Sequence, residues 1–262
     1  ITRNGFFRKL EDSKEILLGD EQSVLEVQRD NVLPQSVLRL LEKEVDLVFP
    51  VLHGPYGEDG KIQGFLDTLN INYIGCDLTS SAVGMDKAVM KQVFSYYNIP
   101  QSSFDILKKA EYKNQNPADL FENFARNLDL PFFIKPANMG SSIGISRVSR
   151  LSEFKAALNE AFKYDKKLII ESSVRAREIE SAVLGAGDQI KISAAGEIIS
   201  THEFYDYQAK YEDQSTELII PADLSQKSLE KIKELSLRAF KAIGAEGISR
   251  LDFFVNEEEN LV

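Results

Sequence analysis

The hydrophobic pattern of this chain changes character near residue 86. Upstream, PQSVLRLLEKE sets Val37, Leu38 and Leu41 on one side at helical spacing. The continuous apolar run VDLVFPVL that follows predicts a buried strand of a parallel sheet. The turn HGPYGEDG leads into a helix from Lys61 to about Leu69. NYIG then predicts a short strand, and SSAVGMD a short helix or turn. Helix and strand alternate here, as in an α/β layer.

Downstream, DKAVMKQVFSYYN places Met90, Val93, Phe94 and Tyr97 at helical offsets, with Asn98 and Pro100 as the stop. SSFDILKK and PFFIKP predict strands on either side of an amphipathic helix carrying Leu120, Phe121, Phe124 and Leu128. GISRV and a helix with Phe154, Ala157, Leu158 and Ala161 inward come next. Strands are predicted at KLIIESSV, REIESAVLG, QIKISA and EIISTHEF. A helix from Ser225 to Ile243 follows, with Ser225 as N-cap and Gly244 and Gly247 at its close, and then the strand ISRLDFFV. Strands this close together suit antiparallel pairing in an α+β arrangement. The predicted division is 1–85, 86–170 and 171–262, with no Pro/Gly/Ser-rich linker at either boundary.

The formal net charge of −10 argues against nucleic acid or an anionic membrane as principal partner, while leaving room for a local cluster of lysines. The single cysteine, Cys76, forms no intrachain disulfide and no cysteine zinc site, which makes the cytoplasm the expected compartment. His53 and His202 are the only histidines, too few for a histidine-rich metal centre.

The stretch IKPANMGSSIGISRV concentrates candidate chemistry. Lys135 ends an apolar strand and is biased to an extended shape by Pro136, which suits a point charge for phosphate or, equally, a solvated lysine at a sheet edge. Gly140, Ser141, Ser142 and Gly144 offer unhindered amides that can surround an oxyanion, or simply a flexible connection. Lys87 opens a helix, where free amides favour an anion. Lys210 lies in FYDYQAKY, an aromatic and polar stretch with no regular period, of the kind that forms lids. Glu171, Glu178 and Glu180 fall on successive predicted strands. Arg250 and Asp252 share one strand face, ready for a phosphate and a Mg²⁺ ion or for a plain ion pair. His53 and Glu58 bracket the glycine-rich turn after the first predicted strand.

HGPYGEDGKIQG, MDK, PFFIKPANMGSSIGISRV, REIESAVLG, HEFYDYQAKY, IIPADL and GISRLDFF together resemble the D-alanine–D-alanine ligases of the ATP-grasp superfamily, in that family's order and over nearly the whole chain. The resemblance implies a Rossmann-like N-terminal domain beside a two-part ATP-grasp fold. It also implies ATP-dependent joining of two D-alanines through an acyl phosphate, for peptidoglycan precursor synthesis in a bacterial cytoplasm. Lys87 and Lys135 then match nucleotide-phosphate lysines, and Lys210 a lid lysine on the transferred phosphate. Glu171 and Val174 match positions that meet the adenine, and Glu178 the ribose residue. Ser141 pairs with Tyr211 on the substrate side, His53 lies near the first substrate, Arg250 stabilises the tetrahedral intermediate, and Asp252 is a Mg²⁺ ligand. Two Mg²⁺ ions (or Mn²⁺) and a homodimer are further implications.

The family's GGxSxE loop and NExNTxPG segment have no counterpart in this sequence, so the chain as written is expected to be inactive, the activity belonging to the intact protein. Competing readings are a D-alanine–D-lactate ligase, disfavoured by the tyrosine-bearing lid, a catalytically silent ATP-grasp scaffold, and another carboxylate–amine ligase of the superfamily, which would lack HGPYGEDG.

Overall fold

The computed structural model describes residues 41, 43, 45–140, 142–199 and 217–262. Two antiparallel sheets organise them. The central sheet runs β1-β4-β2-β3, built from β1 (Phe104–Lys108), β2 (Phe132–Pro136), β3 (Ser146–Val148) and β4 (Lys167–Ser172). Every neighbouring pair is antiparallel. In the second sheet β5 (Arg177–Gly185) pairs along its whole length with β9 (Gly247–Val255). Its other edge takes β7 (Gly196–Ile199) near the start and β6 (Lys191–Ile192) near the end, and β8 (Glu217–Ile219) extends β7.

Alternation along β2 sorts the central sheet into two faces. Phe132, Ile134 and Pro136 point to the buried side, and Phe133 and Lys135 to the other. Helices α5 (Pro117–Leu128) and α6 (Leu151–Ala161) cover the first face. Phe121, Phe124, Phe132 and Phe154 form a ring cluster there, with centroids 5.6–6.3 Å apart. The register that sets Phe133 opposite Glu171, and Lys135 opposite Ile169, places Glu171 on the second face. This rigid, aromatic-backed sheet is what fixes Lys135 and Glu171 in space.

Helix ends follow local chemistry. Asp77 caps α2 (Leu78–Met85) and Asp86 caps α3 (Lys87–Tyr96) through side-chain oxygens on free amides. Asn116, with Pro117 at the first turn, starts α5, and Ser225 starts α7 (Gln226–Ala242). Helix α3 ends with Asn98 in the left-handed region at φ 52°, the Ile99 amide donating to the Phe94 carbonyl. Helix α7 ends in the same way through Gly244 and Ala245.

The N-terminal part meets the second sheet closely. Helix α1 (Lys61–Thr68) packs Ile62 and Leu66 with Ile71. Gly247 opens β9 at φ +94°, and a Cβ there would stand 2.3 Å from the Gly75 carbonyl oxygen, so only glycine fits. The Cys76 thiol donates to the Ile248 carbonyl at 3.3 Å. Arg238 of α7 donates to the carbonyls of Tyr97 (3.1 Å) and Asn98 (2.9 Å), tying α7 to the end of α3.

Several expectations need correction. VDLVFPVL has the predicted parallel register, Val48 bridging Tyr73, but Leu47, Phe49 and Val51 are exposed. NYIG contributes that single bridge rather than a strand. The buried face of α3 carries Ala88 and Lys91, while Tyr97 is exposed, because the helix turns a charged residue inward to a partner distant in sequence. QIKISA reduces to the two-residue β6. A helical turn, α4 (Lys109–Tyr112), follows β1 unpredicted. The expected helix over residues 34–44 and the lid at 202–216 fall largely or wholly outside the described residues.

Candidate active site

Lys135 projects from β2 on the sheet face opposite the aromatic core. Its ammonium meets Glu171 Oε2 at 2.5 Å and lies 5.7 Å from the centre of the Phe133 ring. The other carboxylate oxygen of Glu171 meets Lys91 at 2.7 Å and accepts the Ser102 hydroxyl. Burial alone would raise the Glu171 pKa. Lys135 and Lys91 more than reverse that and hold it at about 2, so Glu171 is ionised at neutral pH.

Lys87, at the first turn of α3, joins this cluster from a second segment. Its amide donates to the Ala137 carbonyl at 3.0 Å and its ammonium to the Met139 carbonyl, so the helix start grips the loop that follows Lys135. Burial, with the charge of Lys135 beside it, lowers the Lys87 pKa to about 8. The helix cap Asp86 pairs with Lys167 of β4, which fixes α3 on the central sheet.

The loop after Lys135 is held tightly. Gly144 sits at φ +72°, and a Cβ there would lie 2.7 Å from the Tyr164 ring and 2.8 Å from Pro136. Turns close it through Ile143 on the Gly140 carbonyl and Ile145 on the Ser142 carbonyl. Gly140 approaches the HGPYGEDG turn, where an added Cβ would be 3.7 Å from Gly54 Cα. In that turn Glu58 accepts the Gly54 amide, and His53 Nδ1 lies 3.8 Å from its carboxylate.

On the second sheet Arg250 chelates Asp252 at 2.8 and 2.9 Å and reaches Glu180, the register partner of Asp252, at 3.2 Å. Partial burial pulls the Arg250 pKa down, but Asp252, Glu180 and Glu58 outweigh it and leave it raised.

The structure thus brings Lys135 onto Glu171, sets Lys87 on the loop that follows Lys135, pairs Arg250 with Asp252, and leaves His53 beside Glu58 in the glycine-rich turn. Val174 lies half-buried in the connection from β4 to β5, and Glu178 lies on β5 opposite Ile198 and Phe254. Ser141, Lys210 and Tyr211 lie outside the described residues. Sequence reasoning missed Lys91 and Ser102, whose roles depend on contacts across 80 and 69 positions respectively, and Phe133 beneath Lys135. A lysine one turn after Lys87, on the apolar side of a short helix, was the available signal for Lys91.

The family model described as D-ala D-ala ligase C-terminus matches residues 93–262, and that described as D-ala D-ala ligase N-terminus matches residues 2–76. The chain belongs to the D-alanine–D-alanine ligase family. A D-alanine–D-alanine ligase of Halothermothrix orenii is 48% identical over 255 residues, covering 97% of this chain and 74% of that protein. One from Lactococcus lactis subsp. cremoris is 40% identical over 261 residues, covering 100% and 73%. Among solved structures, the VanG D-Ala:D-Ser ligase of Enterococcus faecalis matches with a TM-score of 0.74 at 35% identity, over 83% of this chain and 62% of that one. The D-alanine–D-alanine ligase of Coxiella burnetii gives 0.71 at 33%, over 83% and 56%. These neighbours bear out the mixed α/β fold with antiparallel sheets.

Family membership brings a divalent cation into question. Among the described residues no group of three or more His, Cys, Asp or Glu side chains gathers. Asp252, with a side chain 61% exposed, nevertheless offers hard oxygen atoms on the accessible face of β9. Mg²⁺ beside a polyphosphate takes only one or two carboxylates from a protein, so Asp252 would supply one of them once an oxygen is released from Arg250. Among the described residues no helix is long and apolar enough to cross a membrane.

Proposed function

We propose that the protein joins two D-alanines at the expense of ATP. The carboxylate of one D-alanine attacks the γ-phosphorus, the bond to the β,γ-bridging oxygen breaks, and ADP leaves. The amine of a second D-alanine then attacks the acyl phosphate carbon, phosphate departs, and the amine proton is lost to give D-alanyl-D-alanine. The observation that carries this reading is that Lys87 of α3 bonds to the loop that leaves Lys135 of β2, a glycine loop that approaches the HGPYGEDG turn. Two cations at one place stabilise the charge that builds on a transferring phosphoryl group.

In this reading Lys87 and Lys135 bind phosphate oxygens, while Phe133, Glu171 and Val174 line the base and Glu178 takes the ribose. His53 and the Glu58 turn receive the first D-alanine. Arg250 faces the tetrahedral intermediate and the departing phosphate. Asp252 would hold magnesium, which supplies charge neutralisation to the polyphosphate when bound. Ser141, Tyr211 and Lys210 would close the site against water, which otherwise destroys an acyl phosphate. The proposal includes a Rossmann-like N-terminal unit and the division 1–85, 86–170 and 171–262, cytoplasmic location and a homodimer.

The test is phosphate release by the intact protein with Mg-ATP and D-alanine alone, L-alanine alone, and D-alanine mixed with D-lactate or D-serine. The reading predicts release with D-alanine alone and formation of the dipeptide. Release that requires D-lactate or D-serine would reassign the second substrate. Release with L-alanine, or none with any mixture, would overturn the proposal.

A further inference from the structure

Lys91 lies one turn after Lys87 on the inward face of α3, with a side chain only 9% exposed. Its ammonium meets Glu171 Oε1 at 2.7 Å, the Ser102 hydroxyl at 3.0 Å and the Ser102 carbonyl at 3.3 Å, and stands 5.3 Å from the Phe104 ring centre. The opposite oxygen of Glu171 holds Lys135 at 2.5 Å. One buried carboxylate therefore sits between two ammoniums, a different one on each oxygen.

The two lysines differ in what they are able to do. Lys91 is enclosed by β1, β4 and its own helix, and its donors are all directed at Glu171 and Ser102. Lys135 is twice as exposed, at 18%, and stands beside Lys87 and the glycine loop. A lysine that engages a phosphate has to loosen its hold on a carboxylate. If Lys135 were the only cation on Glu171, that movement would leave a buried anion unpaired, a costly arrangement. With Lys91 and the Ser102 hydroxyl on the other oxygen, Glu171 keeps a counterion and a hydrogen bond throughout.

We propose that Lys91 is a positioning residue of the nucleotide site: it retains the charge of Glu171 so that Lys135 passes from carboxylate to nucleotide phosphate. The inference rests on the reading of Lys135 as a phosphate ligand. It explains why a helix of this length turns a lysine into the interior, where an aliphatic residue would pack more simply.

The experiment is calorimetric titration of ATP and of adenosine into the intact protein and its variants, with steady-state kinetics alongside. Lys91→Met should weaken ATP by roughly tenfold or more while adenosine changes less than about twofold, since only the phosphates draw Lys135 away. The KM for ATP should rise while kcat stays within about threefold, the pattern of lost ground-state binding. Lys91→Arg should restore most of the ATP affinity. Glu171→Gln added to Lys91→Met should also raise the ratio of ATP to adenosine affinity, because no anion is then left unpaired. Ser102→Ala provides a milder variant should Lys91→Met fold poorly, with ATP weakened by about threefold and adenosine unchanged. Unchanged ATP affinity in both Lys91→Met and Ser102→Ala, or parallel loss of ATP and adenosine, would overturn the inference. Lys135→Ala separates the two levels. If it binds ATP as the unaltered protein does, the phosphate reading itself fails. If it weakens ATP while the Lys91 and Ser102 variants do not, only the positioning role fails.

Discussion

Glu171 in the central sheet takes a lysine on each of its two oxygens, whereas Arg250 in the second sheet spreads its guanidinium over Asp252 and Glu180. Each arrangement has one charge shared by two partners of opposite sign, so one partner is able to leave without orphaning the shared group. Their surroundings differ. The side chain of Glu171 is 8% exposed and that of Arg250 is 58% exposed. In the buried cluster, pairing is a condition of folding. In the exposed cluster, water stands in for a missing partner, so loss of one partner costs little stability. The difference teaches where a substitution in this protein should act on stability and where it should act only on chemistry.

The strongest way to break the comparison is Glu171→Gln. It leaves Lys91 and Lys135 facing each other without an anion and should cost about 3–5 kcal/mol of stability in urea unfolding, the range for breaking a buried pair. A loss under about 1 kcal/mol would show that the cluster behaves as a surface pair.

Acid should act through the same group. Glu171 is held at about 2 in the fold against 4.5 in a free chain. Its contribution is complete above pH 4.5 and is lost as pH falls toward 2, on the order of 3 kcal/mol in all. Stability measured down the acid range should therefore fall more steeply in the unaltered protein than in Glu171→Gln.

Lys87 works with the opposite sign. Its pKa of about 8 lies below the ordinary 10.5, so the cost of holding it charged is full below pH 8 and is relieved as pH climbs toward 10.5. Binding of a polyphosphate favours the ammonium, so ATP titrated at about pH 8.5 should take up protons, measurable as a dependence of the apparent enthalpy on buffer. Lys87→Met should reduce that uptake. Equal uptake in both proteins would place the titrating group elsewhere.

The smallest effect is expected at Glu180→Gln, which removes one of two carboxylates from the exposed guanidinium. Stability should move by less than about 1 kcal/mol. A larger loss in thermal unfolding would erase the contrast between the clusters.

Much of this architecture was legible from residue pattern. Phe154, Ala157, Leu158 and Ala161 show the period of a helix on a sheet, and they are all buried. Ser225 and Gly244 mark the two ends of α7 through cap chemistry, which depends only on neighbours in the chain. Lys135 was identifiable because a lysine before proline at the end of an apolar strand is constrained locally. Lys91 was not, since its significance lies in Glu171 and Ser102, brought to it by β4 and by the segment before β1. Leu47, Phe49 and Val51 misled for a related reason: an apolar run states a tendency to be covered, and the covering residues are not encoded in the run itself. Glu171 was read from the family resemblance as an adenine neighbour, but its geometry also makes it the anchor of both lysines.

The central claim is that lysines from separate elements converge on one triphosphate. Comparing the affinity of the intact protein and of Lys135→Ala for ATP and for adenosine tests it most directly. The account predicts ATP weakened by about 10–100-fold in the variant, with adenosine bound as before. Equal ATP affinity in the two proteins, or equal losses for ATP and adenosine, would contradict it.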